Sequence, residues 1–271
     1  MKYKKIAILG GGNLGTSIVQ GLLRTNASKA QDITVTRRKL HLLDYLKEKS
    51  VNITDDNRLA VRNSDIILIT VKPHQTIRLL KEIAETLDPS RHLLVSAVTG
   101  ISISEIEEVT GKVPVFRAMP NTAVALNESM TCISGSSSNK ELEEVVLNLF
   151  ESLGKTVTIN EELMGAATVL GACGIAFALR FMRAVSQGGI EIGFGAELSQ
   201  LISAQTIKGA AQLILESGNH PEKEIDKVTT PMGITISGLN EMEHQGFSPA
   251  IIRGLLTSYN KLQKLNENKN D

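Results

Sequence analysis

Lys5-Ile6-Ala7-Ile8-Leu9 runs into Gly10-Gly11-Gly12-Asn13-Leu14-Gly15, so an apolar strand ends in G-x-G-x-x-G and an amphipathic helix opens behind it. Glycines at that spacing have separate jobs. Gly10 makes a tight turn, Gly12 lets backbone approach a pyrophosphate, and Gly15 lets the helix lie close on the sheet. The helix, through about Arg24, would aim its free N–H groups from Asn13 and Leu14 onward, and its positive dipole end, at that phosphate. A dinucleotide site is therefore predicted. The next strand, Ile33-Thr34-Val35, ends in Thr36-Arg37-Arg38, where a carboxylate would accept from a ribose 2′-hydroxyl. Two guanidiniums at that position suit a 2′-phosphate instead, each charge-assisted bond contributing about 1.5 to 3 kcal/mol. NADP(H) is expected over NAD(H), against the alternative that Arg37 and Arg38 only decorate a solvated helix start.

Further chemistry is expected in three loops at the carboxyl ends of apolar strands, because ligands of parallel sheets bind there. They are Val71-Lys72-Pro73-His74, Ser96-Ala97-Val98-Thr99-Gly100-Ile101 and Arg117-Ala118-Met119-Pro120-Asn121-Thr122. Pro73 and Pro120 fix φ and remove a donor, which stops a strand and holds a loop open. Cys132 and Cys173 stand far apart with no metal-ligand spacing, so no metal site or disulfide framework is expected; each reads as a small core residue in a reducing cytoplasm. His220 and His244 have no partner spacing, and Glu197, Glu241 and Glu243 read as helix-surface charges.

The elements that must position these residues follow from hydrophobic period. The chain of 271 residues balances 29 Lys and Arg against 29 Asp and Glu, which gives no basic face for nucleic acid and favours small polar partners. Its first residues, Met1-Lys2-Tyr3-Lys4-Lys5, offer no apolar leader stretch. Strands are expected at 5–9, 33–36, 51–53, 66–71, 93–96, 113–119 and 155–159, with helices at 13–24, 39–49, 74–87, 102–109 and, from a capping box Ser138-Asn139-Lys140-Glu141, 138–153. That succession predicts an α/β, Rossmann-like doubly wound domain over residues 1–159. Beyond Asn160 the period turns helical over 161–193, 196–217 and 248–268, so residues 160–271 are expected to form an all-helical domain that makes a subunit interface. The charge-free run from Leu163 to Leu179 is barely long enough to span a bilayer, and is expected instead as a helix buried on all sides against a partner subunit. The tail Asn266 to Asp271 is expected to fray.

Four strings together resemble pyrroline-5-carboxylate reductase: the glycine fingerprint with Asn13, Val71-Lys72-Pro73, Arg117-x-Met119-Pro120-Asn121-Thr122, and Val228-Thr229-Thr230-Pro231-x-Gly233-x-Thr235-Ile236-x-Gly238-Leu239. The resemblance spans nearly the whole chain. It implies hydride transfer from NADPH to the imine carbon of 1-pyrroline-5-carboxylate, giving L-proline, in a homodimer or higher oligomer joined through the C-terminal helices. Gly10, Gly12, Asn13, Leu14, Gly15, Arg37, Arg38, Asn57, Val71, Lys72 and Pro73 are the cofactor-binding candidates, with Asn57 at the adenosine as the resemblance implies and Lys72 either near the nicotinamide ribose or substrate, or a solvated loop lysine. Met119, Pro120, Asn121, Gly233, Ile234 and Thr235 would hold substrate, the Thr235 hydroxyl on the ring nitrogen as the catalytic contact and the N–H groups of 233–235 on the carboxylate.

This chain departs from the family pattern at Ala123, where Pro is usual, and at Gly171-Ala172-Cys173-Gly174-Ile175-Ala176-Phe177, where Ser-Gly-Ser-Gly-Pro-Ala-Tyr is usual. It departs again at Pro231-Met232-Gly233-Ile234-Thr235, where the family has Pro-Gly-Gly. A residue with a Cβ at 232 disfavours positive φ. A reductase of a related cyclic imine, and a non-catalytic NADP-binding regulatory protein, are the alternatives these departures leave open. A β-hydroxyacid-type dehydrogenase would need a catalytic lysine in the helical domain, where only Lys208 stands between Asn160 and Asn219.

Overall fold

The computed structural model describes residues 4–136 and 139–267. In chain order its first part holds β1 (Ile6–Leu9), α1 (Asn13–Arg24), β2 (Ile33–Thr36), α2 (Asp44–Lys47), β3 (Asn52–Thr54), α3 (Asn57–Arg62), β4 (Ile66–Ile69) and α4 (Pro73–Ile83). β5 (Leu93–Ser96), α5 (Ile103–Thr110), β6 (Val115–Met119), β7 (Ser129–Gly135), α6 (Lys140–Glu151) and β8 (Gly154–Thr158) follow. The strands form one sheet in the order β3-β2-β1-β4-β5-β6-β7-β8, all pairs parallel except β6 with β7. The order reverses between β1 and β4, and a crevice opens beyond the carboxyl ends of the strands at such a switch point.

Alternate residues of the central strands feed two cores. Ile8, Leu68, Val95 and Phe116 meet Ile18 and Leu22 of α1 and Val146 and Phe150 of α6 on one face. Ala7, Leu9, Ile67, Ile69 and Leu94 meet Val61, Leu80, Ile83 and Ile106 on the other. Burial on both faces is why these strands read as unbroken apolar runs.

Several sequence expectations are revised. β7 was not foreseen: Ser129-Met130-Thr131-Cys132-Ile133-Ser134 alternates, with Met130 exposed, so it lacks the run that marks a central strand. The six-residue α3, capped by the Asp56 carboxylate on Leu59 N–H, was also absent from that reading. The expected helix 39–49 is a 3-10 turn, Leu40–Leu43, followed by α2. Pro73 does not hold a loop open; it is the first residue of α4, where its missing donor costs nothing. Asn139 caps α6 through Glu141 N–H, whereas Ser138 of the expected capping box lies outside the described residues. Residues 268–271 of the tail lie outside them as well.

The chain divides into two compact units, one running through Cys173 and taking in the chain from Lys261, the other comprising Gly174–Asn260. The strands end at Thr158, next to the 159/160 boundary read from sequence. Compactness carries the first unit further because Met164 of α7 (Met164–Ala167), with Thr168 and Val169 of a π-helical turn (Thr168–Cys173), is buried.

The second unit contains α8 (Gly174–Glu191), α9 (Ala196–Ser217), α10 (Pro221–Val228), α11 (Ile234–His244) and the start of α12 (Phe247–Glu267). α8 and α9 approach closely because Gly189 faces Ser199, whose Oγ donates to the Ser186 carbonyl at 2.7 Å. Of the run 163–179, expected as a helix buried on all sides against a partner subunit, Met164, Thr168 and Val169 are buried within the chain, and α8 has no buried residue. The helical run Glu161–Glu191 is long and apolar enough to cross a membrane by length and composition. Cys132 and Cys173 are free and half-buried rather than core residues.

Candidate cofactor and substrate sites

At the carboxyl end of β1 the glycines behave as their spacing demands. Gly10 sits at φ +117°, and a Cβ there would meet Thr70 C and Val71 N at 2.9 Å. Gly15 could carry no side chain either, because its Cβ would collide with the Gly10 carbonyl, with Thr70 Oγ1 2.9 Å away. Around Gly12, by contrast, a Cβ would meet nothing within 4 Å. The open side of Gly12 lies at the start of α1, whose first ladder bond is Thr16 N–H to the Gly12 carbonyl at 2.9 Å. The N–H groups of Asn13, Leu14 and Gly15 precede that bond, and they make an anion cradle. A pyrophosphate fits this donor set and this space.

The loop is held from two sides. Thr70 Oγ1 donates to the Gly10 carbonyl at 2.8 Å, and Arg37 Nη1 donates to the Gly11 carbonyl at 2.7 Å. Gly11 N–H returns a bond to the Thr36 carbonyl at 2.7 Å. The two arginines therefore differ. Arg37 is half-buried and braces the glycine loop, whereas Arg38 is exposed. Thr70 escaped sequence reading because it looks like the end of an apolar strand; its position just before Val71-Lys72-Pro73 was the available signal.

The other expected cofactor residues are placed as follows. Val71 is half-buried against Gly10, while Lys72 and Pro73 are exposed at the start of α4. Asn57 opens α3, and its Nδ2 donates to Glu82 Oε1 at 3.0 Å, so its side chain turns toward a carboxylate of α4.

β6 ends at buried Met119, and the loop after it runs from buried Pro120 into half-buried Asn121. Thr99 Oγ1 lies 4.0 Å from Met119 Sδ, which joins this loop to the one after β5. Asn121 caps a 3-10 turn, Thr122–Leu126, through Ala123 N–H. Beneath it, Arg117 is 6% exposed and its Nη1 donates to Glu161 Oε1 at 3.0 Å. The same carboxylate oxygen accepts Ile103 N–H at 2.7 Å, at the amino end of α5. Glu161 thus clasps β6, α5 and its own segment, a role no local pattern announces. Ser129, from the unforeseen β7, accepts Asn121 N–H at 3.1 Å.

In the helical unit, Thr230-Pro231-Met232-Gly233 forms a turn closed by Gly233 N–H to the Thr230 carbonyl at 2.9 Å. Proline second and a positive φ third are the marks of a type II turn, and Met232 takes φ +57°. Although a Cβ at 232 disfavours this geometry, the methionine adopts it, its side chain fully exposed. Gly233 then caps α11 without a side-chain bond, leaving the N–H groups of Ile234 and Thr235 in the first turn, with the exposed Thr235 hydroxyl beside them. His220, which lacks the partner spacing of a catalytic histidine, caps α10 through Glu222 N–H at 3.3 Å.

Residues 161–265 match the family model described as pyrroline-5-carboxylate reductase dimerisation, and residues 5–100 match that of NADP oxidoreductase, coenzyme F420-dependent. The chain is 44% identical to pyrroline-5-carboxylate reductase 2 of Dictyostelium discoideum, covering 96% of this chain and 93% of that protein. It is also 44% identical to pyrroline-5-carboxylate reductase 1 of the same organism, again over 96% of this chain, but it spans only 49% of that longer protein. The crystal structure of Plasmodium falciparum pyrroline carboxylate reductase with NADP bound superimposes with a TM-score of 0.89 at 26% identity, covering 98% of this chain and 99% of that one.

Proposed function

The chain belongs to the pyrroline-5-carboxylate reductase family, and from that premise we propose that it reduces 1-pyrroline-5-carboxylate to L-proline with NADPH. The observation that carries this reading, in a chain alike to pyrroline-5-carboxylate reductase 2 of Dictyostelium discoideum over 96% of its length, is the open start of α1 at Gly12, where a Cβ would meet nothing within 4 Å. Bound NADPH supplies the hydride. The N–H groups of Asn13, Leu14 and Gly15 hold the pyrophosphate, Gly10 keeps the turn open, and Arg38 takes the 2′-phosphate while Arg37 keeps the loop in shape. Val71, Lys72, Pro73 and Asn57 complete the cofactor wall.

The substrate needs little acid-base equipment. A ring nitrogen that carries a proton makes the imine carbon electrophilic; hydride adds to that carbon, the C=N electron pair moves to nitrogen, and the proton stays there. What the chain contributes is orientation and exclusion of water. Thr235 Oγ1 bonds the ring nitrogen, the N–H groups of Gly233, Ile234 and Thr235 hold the carboxylate, and Met119, Pro120 and Asn121 are the further substrate contacts. Residues 1–159 serve as the cofactor domain and 160–271 as the substrate and dimerisation domain. The apolar side chains left open on the second unit, Ile192 and Leu201 among them, are covered by a second copy. Two free thiols suit a reducing cytoplasm.

The test follows NADPH absorbance with 1-pyrroline-5-carboxylate, its six-membered homologue and a 3-hydroxy acid. Oxidation with the five-membered imine is expected. Preference for the six-membered ring would make the protein a different imine reductase, and tight NADPH binding without turnover would make it a binding protein.

A further inference from the structure

Beside its carbonyl, which accepts Val124 N–H at 3.2 Å in the 3-10 turn, Asn121 is tied at three further points. Its N–H donates to Ser129 Oγ at 3.1 Å, its Oδ1 accepts from Ala123 N–H at 3.0 Å, and its Nδ2 donates to the Gly171 carbonyl at 3.3 Å. The third bond differs in kind, because Gly171 lies inside the π-helical turn Thr168–Cys173. In an α-helix its carbonyl would accept from the N–H four residues on; in a π-turn the acceptance moves five residues on. A side-chain donor at that oxygen competes with the ordinary ladder, one of the recognised ways to distort a helix.

The local sequence yields to such a pull. Gly171 and Gly174 bracket Ala172 and Cys173, and glycine weakens a helix by about 1 kcal/mol relative to alanine. Thr168 Oγ1 donates back to the Met164 carbonyl at 2.8 Å, a bond that itself bends helices. A Cβ at Gly171 would meet nothing within 4 Å, so close packing does not explain that glycine.

We infer that Asn121 is a positioning residue: it holds the π-turn 168–173 against the loop after β6 and acts on the reaction through that turn. One residue of register in a helix corresponds to a rotation of about 100°. Losing the donor lets the turn relax toward an α-helix and swings Ala172 and Cys173 by that amount. The kinetic consequence rests on the reductase reading; the structural one does not.

Asn121→Asp isolates the bond, since it keeps the oxygen that caps Ala123 and removes the donor to Gly171. If that variant does not fold, Asn121→Ser replaces it, capping Ala123 without an amide donor. Two readouts are taken on the full chain: amide hydrogen exchange across residues 168–173, and steady-state kinetics with NADPH affinity measured separately by fluorescence. Exchange in the turn is expected to rise at least tenfold. kcat/KM for the imine is expected to fall about ten- to a hundredfold, the scale of a misplacement near 1 Å, with NADPH affinity within twofold of wild type. Unchanged exchange overturns the inference, as does a matching loss of NADPH affinity or unaltered kinetics in an active enzyme. A wild-type protein that turns over no imine defeats the reductase reading instead, and the exchange arm still decides what Asn121 holds.

Discussion

In the sheet-bearing unit β1, β4 and β5 are buried along their whole lengths, and helices cover both faces. In the helical unit the only buried side chains among the described residues are Ser199 and Ser203, while Ile192 is 78% and Leu201 65% exposed. The first unit satisfies its own hydrophobic pattern, and the second does not. Full burial of one such side chain contributes about 1.5 to 3 kcal/mol, so covering these open apolar positions from outside would stabilise the helical unit. The contrast extends to the loops: the sheet unit braces its glycine loop with side-chain bonds from Thr70 and Arg37, whereas the turn before Thr235 is closed by a backbone bond from Gly233 N–H to the Thr230 carbonyl.

The largest test of this contrast compares two leucines. Leu22→Ala in the sheet core should cost about 2 to 5 kcal/mol, measured by denaturant unfolding, whatever the protein concentration. Leu201→Asp should instead shift sedimentation toward monomer and abolish the concentration dependence of melting. If Leu201→Asp leaves the assembly intact, its face of the helical unit needs no cover.

The next pair separates cofactor from substrate. Arg38→Ala should weaken NADPH binding about ten- to a hundredfold and leave NADH binding nearly unchanged, the scale of a lost charged hydrogen bond. Thr235→Ala should lower turnover by a similar factor with NADPH affinity intact. Equal effects of both variants on cofactor affinity would erase the proposed division of labour.

Smaller effects probe backbone and titration. Met232→Gly should raise stability by about 1 kcal/mol, because the left-handed region costs a side chain about 1 to 2 kcal/mol and glycine little. A lower melting temperature would show that the methionine is held by contacts worth more than its strain. Burial pushes the His92 imidazole below its ordinary value of 6.5, and the Arg91 charge adds to the effect. Above pH 6.5 the ring is neutral in folded and unfolded chains alike. As pH falls below 6.5 the unfolded chain takes up the proton more readily, so the stability contributed is lost toward the lower folded-state value. The melting temperature should decline with a shallower slope in His92→Gln than in wild type; equal slopes would remove His92 from the account.

The strand-turn-helix of the glycine loop is legible in the order of residues because its signals are local: an apolar run, three glycines, then a helical period. The same logic found the sheet's parallel strands, and it missed β7 because an alternating, half-exposed strand borrows its place from β6, whose Ala118 it pairs through Ile133. α3 was missed for a related reason, being too short for a period to declare itself. In the loop after β6 the string from Arg117 to Thr122 is visible in sequence, but the partners that shape it are not.

What the chain's own order of residues determined is the alternation of strands and helices, the glycine cradle and the cationic end of β2, all properties of period and spacing within a few residues. Only the tertiary structure decided that Arg37 would brace Gly11 and that Glu161 would join Arg117 and Ile103, 44 and 58 positions away in sequence. It likewise decided that Asn121 would reach Gly171. Periodicity says which face a side chain presents; which atom waits opposite depends on how distant segments close on one another, and no local pattern carries that distance.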